Sequence, residues 1–429
     1  MEENKNIDDC LSLITNEEPQ DIPTLDPEEN VESPETDQDP FNPEDISIDT
    51  KVFTLDNLLS KIECGMLNLN PDFQRNEVWT PIKKSQLVES LMLMIPIPMF
   101  YVSSDAFGTL SVVDGVQRLS TIRDFVLGQD YLKTLTEENP EGDITLKGMG
   151  FKLRQLEFWT KYEGMNFKDL PPMLKNRIRD TNFQFTIINP GTPEEVKRNI
   201  FKRINTGGMP LSSQEIRNAI YIGKATDLLN RLVADEAFEM ATGESLKKAK
   251  RMEDRELALR LVSFLIRKYS DYKRTVGIDA WLGDTMIILN AMPKLDTRDY
   301  LKFLKTRGAN DHKSIHIMSD EEICDFFHTA MVRCHEVFGE HAFRKSHDYE
   351  RRSPINRCLF ETWGNILGGL TPSQYQNLLA HKNHFLYDYY KLLGDTDFLR
   401  TITTDSMKHT AVKQRFKTLL DITELHAGL

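Results

Sequence analysis

The stretch Ser111-Val112-Val113-Asp114-Gly115-Val116-Gln117-Arg118-Leu119-Ser120-Thr121-Ile122-Arg123 constrains the fold more than any other part of the chain. A short apolar run ends at Asp-Gly, a strong turn dipeptide, and apolar residues then recur with helical spacing at Leu119, Ile122, Phe125 and Val126. The pattern predicts a strand, a tight turn and a helix. Such a junction leaves first-turn backbone N–H groups unpaired at the positive end of the helix dipole, which suits a phosphate or a carboxylate. Gly115 would let a ligand approach the backbone, and Arg118 offers a planar fork for oxyanions. The same residues also serve ordinary strand-to-helix connections with a solvated arginine, and the turn alone does not decide between the two.

The net charge of −13 is unevenly spread. Residues 1–50 hold 17 Asp and Glu against the single base Lys5, which leaves 52 bases and 49 acids in residues 51–429. The remainder is close to neutral, so a local basic face for phosphates is compatible with it, but it is not a strongly basic nucleic-acid binder. At 429 residues with 40% hydrophobic residues, the chain has room for two or three domains. Cys10, Cys64, Cys324, Cys334 and Cys358 are scattered and odd in number, which suits free thiols in a reducing cytosol. No signal peptide or membrane-spanning run is read, so a cytoplasmic protein with no membrane partner is expected.

Residues 1–48 read as an acidic disordered tail, punctuated by prolines and short of large apolar residues. It is either a solubilising leader or an arm that shields a basic cleft, and its apolar cluster Cys10-Leu11-Ser12-Leu13-Ile14 is a docking candidate. Thr54 is a plausible N-cap for a helix through Leu55, Leu58, Leu59 and Ile62. Asn70 to Trp79 is irregular and rich in site-type residues. Thr80-Pro81 predicts a second helix, with Ile82, Leu87, Leu91, Met94 and Ile95 as its apolar face. Strands are predicted over 98–102 and 110–113 around a turn at Asp105 to Gly108, over Phe151-Lys152-Leu153, and over Phe183 to Ile188, and Pro171-Pro172 opens a short helix. Thr192-Pro193-Glu194-Glu195 carries capping chemistry, as do Ser212 and Ser213 before Ile216, Ala219 and Ile220. Between them, Asn205-Thr206-Gly207-Gly208 is either a C-cap turn or an anion-binding backbone concavity. Beyond residue 225 the period is helical, with pieces at 253–269, 281–291, 320–338, 356–367 and 373–393.

Taken in order, Asn70 to Trp79, Asp114 to Arg118 with Thr121, Phe201 to Gly208, Gln214 to Asn218 and Arg251 to Arg260 resemble the N-terminal domain of GmrSD-type restriction systems, a family related to the ParB and sulfiredoxin fold. The resemblance covers roughly residues 50–265. It implies an α+β protein: a small mixed-sheet ParB/sulfiredoxin-like core over 49–225 and a mostly α-helical region over 226–429. It also implies binding, and in several members hydrolysis, of a nucleoside triphosphate with Mg2+, in defence against foreign DNA.

On that resemblance Asp114, Gln117 and Arg118 are the catalytic candidates. Gln74, Arg75, Gly115, Thr121, Asn205, Gly207 and Asn218 are the nucleotide-binding candidates, and no metal ligand is assigned. The implied partners are a nucleotide, DNA, and a second copy or another protein. Two departures stand out. Val116 replaces the first Gln of the family's Asp-Gly-Gln-Gln-Arg signature, which leaves either a turnover defect or no effect. A C-terminal His-Asn-His nuclease, carried by many relatives, is not recognised: His341-x5-His347 lacks the surrounding pattern, and Cys324, His328, Cys334 and His335 lack zinc spacing. The alternative function is a catalytically inactive DNA-binding or partner-binding module on the same fold.

Overall fold

The computed structural model describes residues 46–69, 79–104, 108–136, 141–190, 212–221, 223–243, 251–273, 277–295, 315–347 and 350–428, together with Leu25, Asp26 and a few isolated positions. Two hydrophobic cores organise them.

The N-terminal part is α+β: β1 (Ile48–Thr54), α1 (Leu55–Glu63), β2 (Leu67–Asn68), α2 (Pro81–Met92), β3 (Phe100–Ser104), β4 (Leu110–Asp114), α3 (Val116–Val126), α4 (Gln129–Lys133), α5 (Pro172–Arg179) and β5 (Asn182–Ile188). The five strands form one mixed sheet in the order β1-β5-β3-β4-β2. β1 pairs antiparallel with β5 and β3 with β4, whereas β5 with β3 and β4 with β2 are parallel. Strand alternation sends Phe100, Val102, Val112, Phe183, Phe185 and Ile187 into the core of this part, under α1, α2, α3 and α5. Val113 and Ile188 point to the opposite face.

The C-terminal part is helical: α6 (Ser213–Ile220), α7 (Lys224–Val233), α8 (Glu236–Thr242), α9 (Glu253–Leu265), α10 (Ile278–Ala291), α11 (Asp320–Phe338), α12 (Arg357–Gly369), α13 (Pro372–Ala380), α14 (Lys382–Leu393), α15 (Thr396–Ile402) and α16 (His409–Ala427). Ser212 and Glu215 form a capping box on α6, as do Ser319 and Glu322 on α11. Helix α6 joins the two parts, because Ile216 packs on Val113 and Ile188 of the sheet while Arg217 reaches Asp279 on α10 at 2.6 Å. Among the described residues no helix is long and apolar enough to cross a membrane.

Three expectations are corrected. Helix α2 turns Ser85, Val88, Glu89 and Met92 inward instead of Ile82, and it ends before Met94 and Ile95, which are exposed. The inner polar residues are held by backbone partners: the Ser85 hydroxyl accepts the Arg154 N–H, and the Glu89 carboxylate accepts those of Glu157, Phe158 and Trp159 at 2.8–2.9 Å. Phe151-Lys152-Leu153 is not a strand; Leu153 exchanges two local backbone hydrogen bonds with Gly164 and Met165 and joins no sheet. The 373–393 helix is two, α13 and α14, broken at His381.

Of the expected tail over 1–48, the described residues are Leu25, Asp26 and 46–48. Leu25 is buried in the helical core and Asp26 is hydrogen-bonded to the body, because an apolar–acidic pair there meets a matching apolar and basic recess. Cys10 to Ile14, the Asp105 to Phe107 turn and the Pro193 to Glu195 cap lie outside the described residues.

Candidate functional site

Strand β4 delivers the Asp-Gly turn through an irregularity. Tyr101 pairs with Asp114 but Val102 pairs with Val112, so Val113 is an extra residue in the ladder. Such a bulge raises the local twist and re-aims the residues that follow it. Asp114 leaves the strand at its end with its side chain 35% exposed.

Gly115 follows at φ +97°, in the left-handed region, and serves as N-cap of α3 without any side-chain cap. A Cβ at this position would run into the ring edge of Phe100. Both features require glycine. No acidic side chain occupies the first turn of α3, and the Asp114 carboxylate just ahead of it is paired with Arg118.

Arg118 closes the turn. Its guanidinium lies over the Phe100 ring at 4.6 Å, donates to Asp114 Oδ2 at 2.9 Å and to the Met99 carbonyl at 3.4 Å, and also donates to the Pro98 carbonyl. Burial pulls the Arg118 guanidinium below its ordinary pKa, and the neighbouring Asp114 carboxylate offsets part of that shift. The arginine is thus engaged with Asp114 and β3 and not splayed into solvent.

The other members divide by face. Val116 packs in the core of the sheet domain, where a glutamine would have to bury its amide, so valine there subtracts no polar group from the exposed side of the turn. Gln117 is half-buried, and its side chain has no hydrogen-bond partner among the described residues. Thr121 is buried and its hydroxyl donates back to the Gln117 carbonyl at 2.7 Å, which makes it a helix-internal group.

On the other face of β4, α6 carries Gln214, Arg217 and Asn218, all buried. Gln214 Nε2 donates to Asn218 Oδ1 at 2.8 Å, and Gln214 Oε1 accepts from Arg217 Nε at 2.9 Å. Asn218 Nδ2 is buried and has no hydrogen-bond partner among the described residues. The structure therefore brings Asp114, Gly115, Gln117, Arg118 and Thr121 together on one turn and hangs Asn218 behind the same strand. Gln74, Arg75, Asn205 and Gly207 lie outside the described residues.

The family model of the GmrSD restriction endonuclease N-terminal domain matches residues 55–222, which is 168 of the 429 residues. Residues 55–222 are a GmrSD-type N-terminal domain. The match runs from the start of α1 to just beyond α6, so it takes in the Asp114–Arg118 turn and Asn218, and it relates the chain to DNA restriction and anti-phage defence. Comparison with curated proteins and with solved structures found no match.

Two contributors to the GmrSD-type turn were not legible in the sequence. Phe100 reads only as a strand residue, yet it is the surface against which Gly115 and Arg118 are both set. The Val113 bulge has no glycine to announce it. Outside the domain, the candidate C-terminal residues are scattered. Cys334 is in the helical core, where burial pushes its thiol well up, and His328 meets Asp235 at 3.0 Å. His341 bonds Ser346 at 3.0 Å, while His347 stacks on Tyr390 with ring centres 4.2 Å apart.

Proposed function

We propose that the GmrSD-type domain binds a nucleoside triphosphate at the Asp114–Arg118 turn, in a protein of a DNA restriction or anti-phage system. One observation carries the reading: within the matched segment, α3 starts at a left-handed Gly115 with no side-chain cap. First-turn amides left without such a cap, next to an arginine, match the needs of a phosphate chain.

The Asp114–Arg118 pair sets the terms of binding. A phosphate group carries more charge than one carboxylate and competes with Asp114 for the guanidinium. Asp114, once displaced, is an oxygen ligand at the edge of the phosphates. That fits Mg2+, which is usually held by one or two carboxylates plus substrate phosphates and so needs no cluster of acidic side chains. When bound, the cation would neutralise phosphate charge. Gln117, with an unengaged amide, is the group placed to orient a water, and Thr121 holds the Gln117 backbone in the helix. Asn218 offers a buried amide N–H behind β4 that has no partner among the described residues.

A second reading, a binding module that has lost the chemistry, is favoured by one fact: Arg118 already has its counterion in Asp114. Thermal melting of the purified chain with each of the four common triphosphates, with and without Mg2+, separates the two. A ligand at 100 times its Kd adds about 2.7 kcal/mol, a shift of several degrees. No shift with any triphosphate, together with DNA binding that falls steeply with salt, would establish the second reading instead.

A further inference from the structure

Leu25 and Asp26 sit in a recess of the helical part that is built for them. Leu25 is 4% exposed among the core side chains and pairs in a parallel bridge with Ile355, which itself bridges Arg344 on its other side. The Asp26 N–H donates to the Ile355 carbonyl at 3.0 Å, and Arg357 donates to the Asp26 carbonyl at 2.6 Å. The Asp26 carboxylate receives Asn356 Nδ2 at 3.0 Å and meets Lys345 Nζ at 3.0 Å. Asn356, the N-cap of α12, is 3% exposed, and its other contacts are to Ile402 and Leu359.

We propose that this crevice, between Lys345, the start of α12 and the turn after α15, is a docking site for a short apolar–Asp segment. Its occupant is the chain's own N-terminal arm, held as a displaceable latch. Specificity comes from three separate features: an apolar socket for the first residue, a lysine and an amide for the carboxylate, and hydrogen bonds from the Asp26 N–H to the Ile355 carbonyl and from Arg357 to the Asp26 carbonyl. A partner without the carboxylate would leave one N–H of the buried Asn356 amide without an acceptor, and a buried donor left unmet is costly. Among the described residues of the arm, Leu25 and Asp26 make these contacts.

Arg357 makes the latch consequential. The same guanidinium that donates to Asp26 lies 3.6 Å from Glu256, and Glu256 in turn lies 3.6 Å from Arg217 of α6. Docking is therefore connected through two side chains to the helix that packs on β4. Between Asp26 and β1 in the sequence, residues 27–45 carry eight acidic residues and no Lys or Arg.

The test uses the full-length chain and a fluorescent synthetic peptide of residues 19–32. In the wild type the cis arm competes at an effective concentration on the order of millimolar, so the peptide binds weakly. Asp26→Lys removes the competitor and is expected to tighten peptide binding at least about tenfold, whereas a peptide with the same Asp→Lys change does not bind. Independently, amide exchange at Asp26 is slow in the wild type and accelerates about tenfold or more in Lys345→Glu, whose melting temperature reports that the fold is kept. Equal peptide affinity in wild type and Asp26→Lys, or unprotected exchange at Asp26 in the wild type, overturns the proposal.

Discussion

The guanidinium of Arg118 lies 4.6 Å from the centre of the Phe100 ring, and the edge of that same ring leaves no room for a Cβ on Gly115. One aromatic side chain therefore fixes both the glycine that starts α3 and the arginine three residues on. Gly115→Ala is expected to destabilise the chain by about 2 kcal/mol or more, from left-handed strain plus the clash. In a Phe100→Ala background the clash is gone and the same change should cost only about 1 kcal/mol; urea unfolding of the wild type, the two single variants and the double variant gives the coupling.

Asp114→Asn keeps the shape of the turn and removes the carboxylate that competes for Arg118. Without a divalent cation, the variant should bind a triphosphate more tightly than the wild type by about three- to tenfold. With Mg2+ the advantage should vanish, because the cation has lost its protein oxygen. Fluorescent-nucleotide titrations in EDTA and in Mg2+ measure both arms.

Glu89 joins α2 to the loop at 157–159. Burial alone would raise its carboxyl pKa, but three backbone N–H donors, from Trp159, Glu157 and Phe158, outweigh burial and hold it below the ordinary 4.5. A depressed folded-state pKa means that Glu89 contributes stability in full above 4.5, and that this contribution is lost as pH falls through its lowered value. Glu89→Gln should destabilise by about 2–3 kcal/mol near neutral pH. The gap to the wild type should close on acidification below 4.5, as read by denaturant midpoints across pH.

Arg415 of α16 and Glu361 of α12 are both fully buried and paired, with Arg260 of α9 3.5 Å from the same carboxylate. Glu361→Leu removes the buried carboxylate that pairs with Arg415, while Arg260 keeps Glu256 at 3.1 Å, and should cost about 3–5 kcal/mol. Adding Arg415→Met should restore only part of this, since the Thr401 and Ser406 carbonyls lose the donor they share. Calorimetric melting of the single and double variants distinguishes the two steps.

Local chemistry made the junctions readable. The caps at Thr54, Thr80 and Ser212, the Asp114-Gly115 turn and the β-branched run of β5 each depend on neighbours within a few residues, and each appears where its pattern places it. The α2 face was misread because Ser85 and Glu89 are polar, and their inward placement depends on backbone donors about seventy residues away. For the same reason Leu25 and Asp26 were indistinguishable from the acidic arm around them: their partners lie more than three hundred residues along the chain. At the candidate site, composition located the turn, but the engagement of Arg118 by Asp114 and Pro98 and the inward aim of Val116 are tertiary facts.

The central claim is that phosphates meet the first turn of α3. Backbone amide shifts of Val116, Gln117 and Arg118, followed by NMR while a nucleoside triphosphate and Mg2+ are titrated in, test it most directly. Saturable shifts centred on these three amides and on Gly115, absent with the nucleoside alone, are the expected result. Saturating triphosphate binding that leaves them unmoved, or no binding at all, would contradict it.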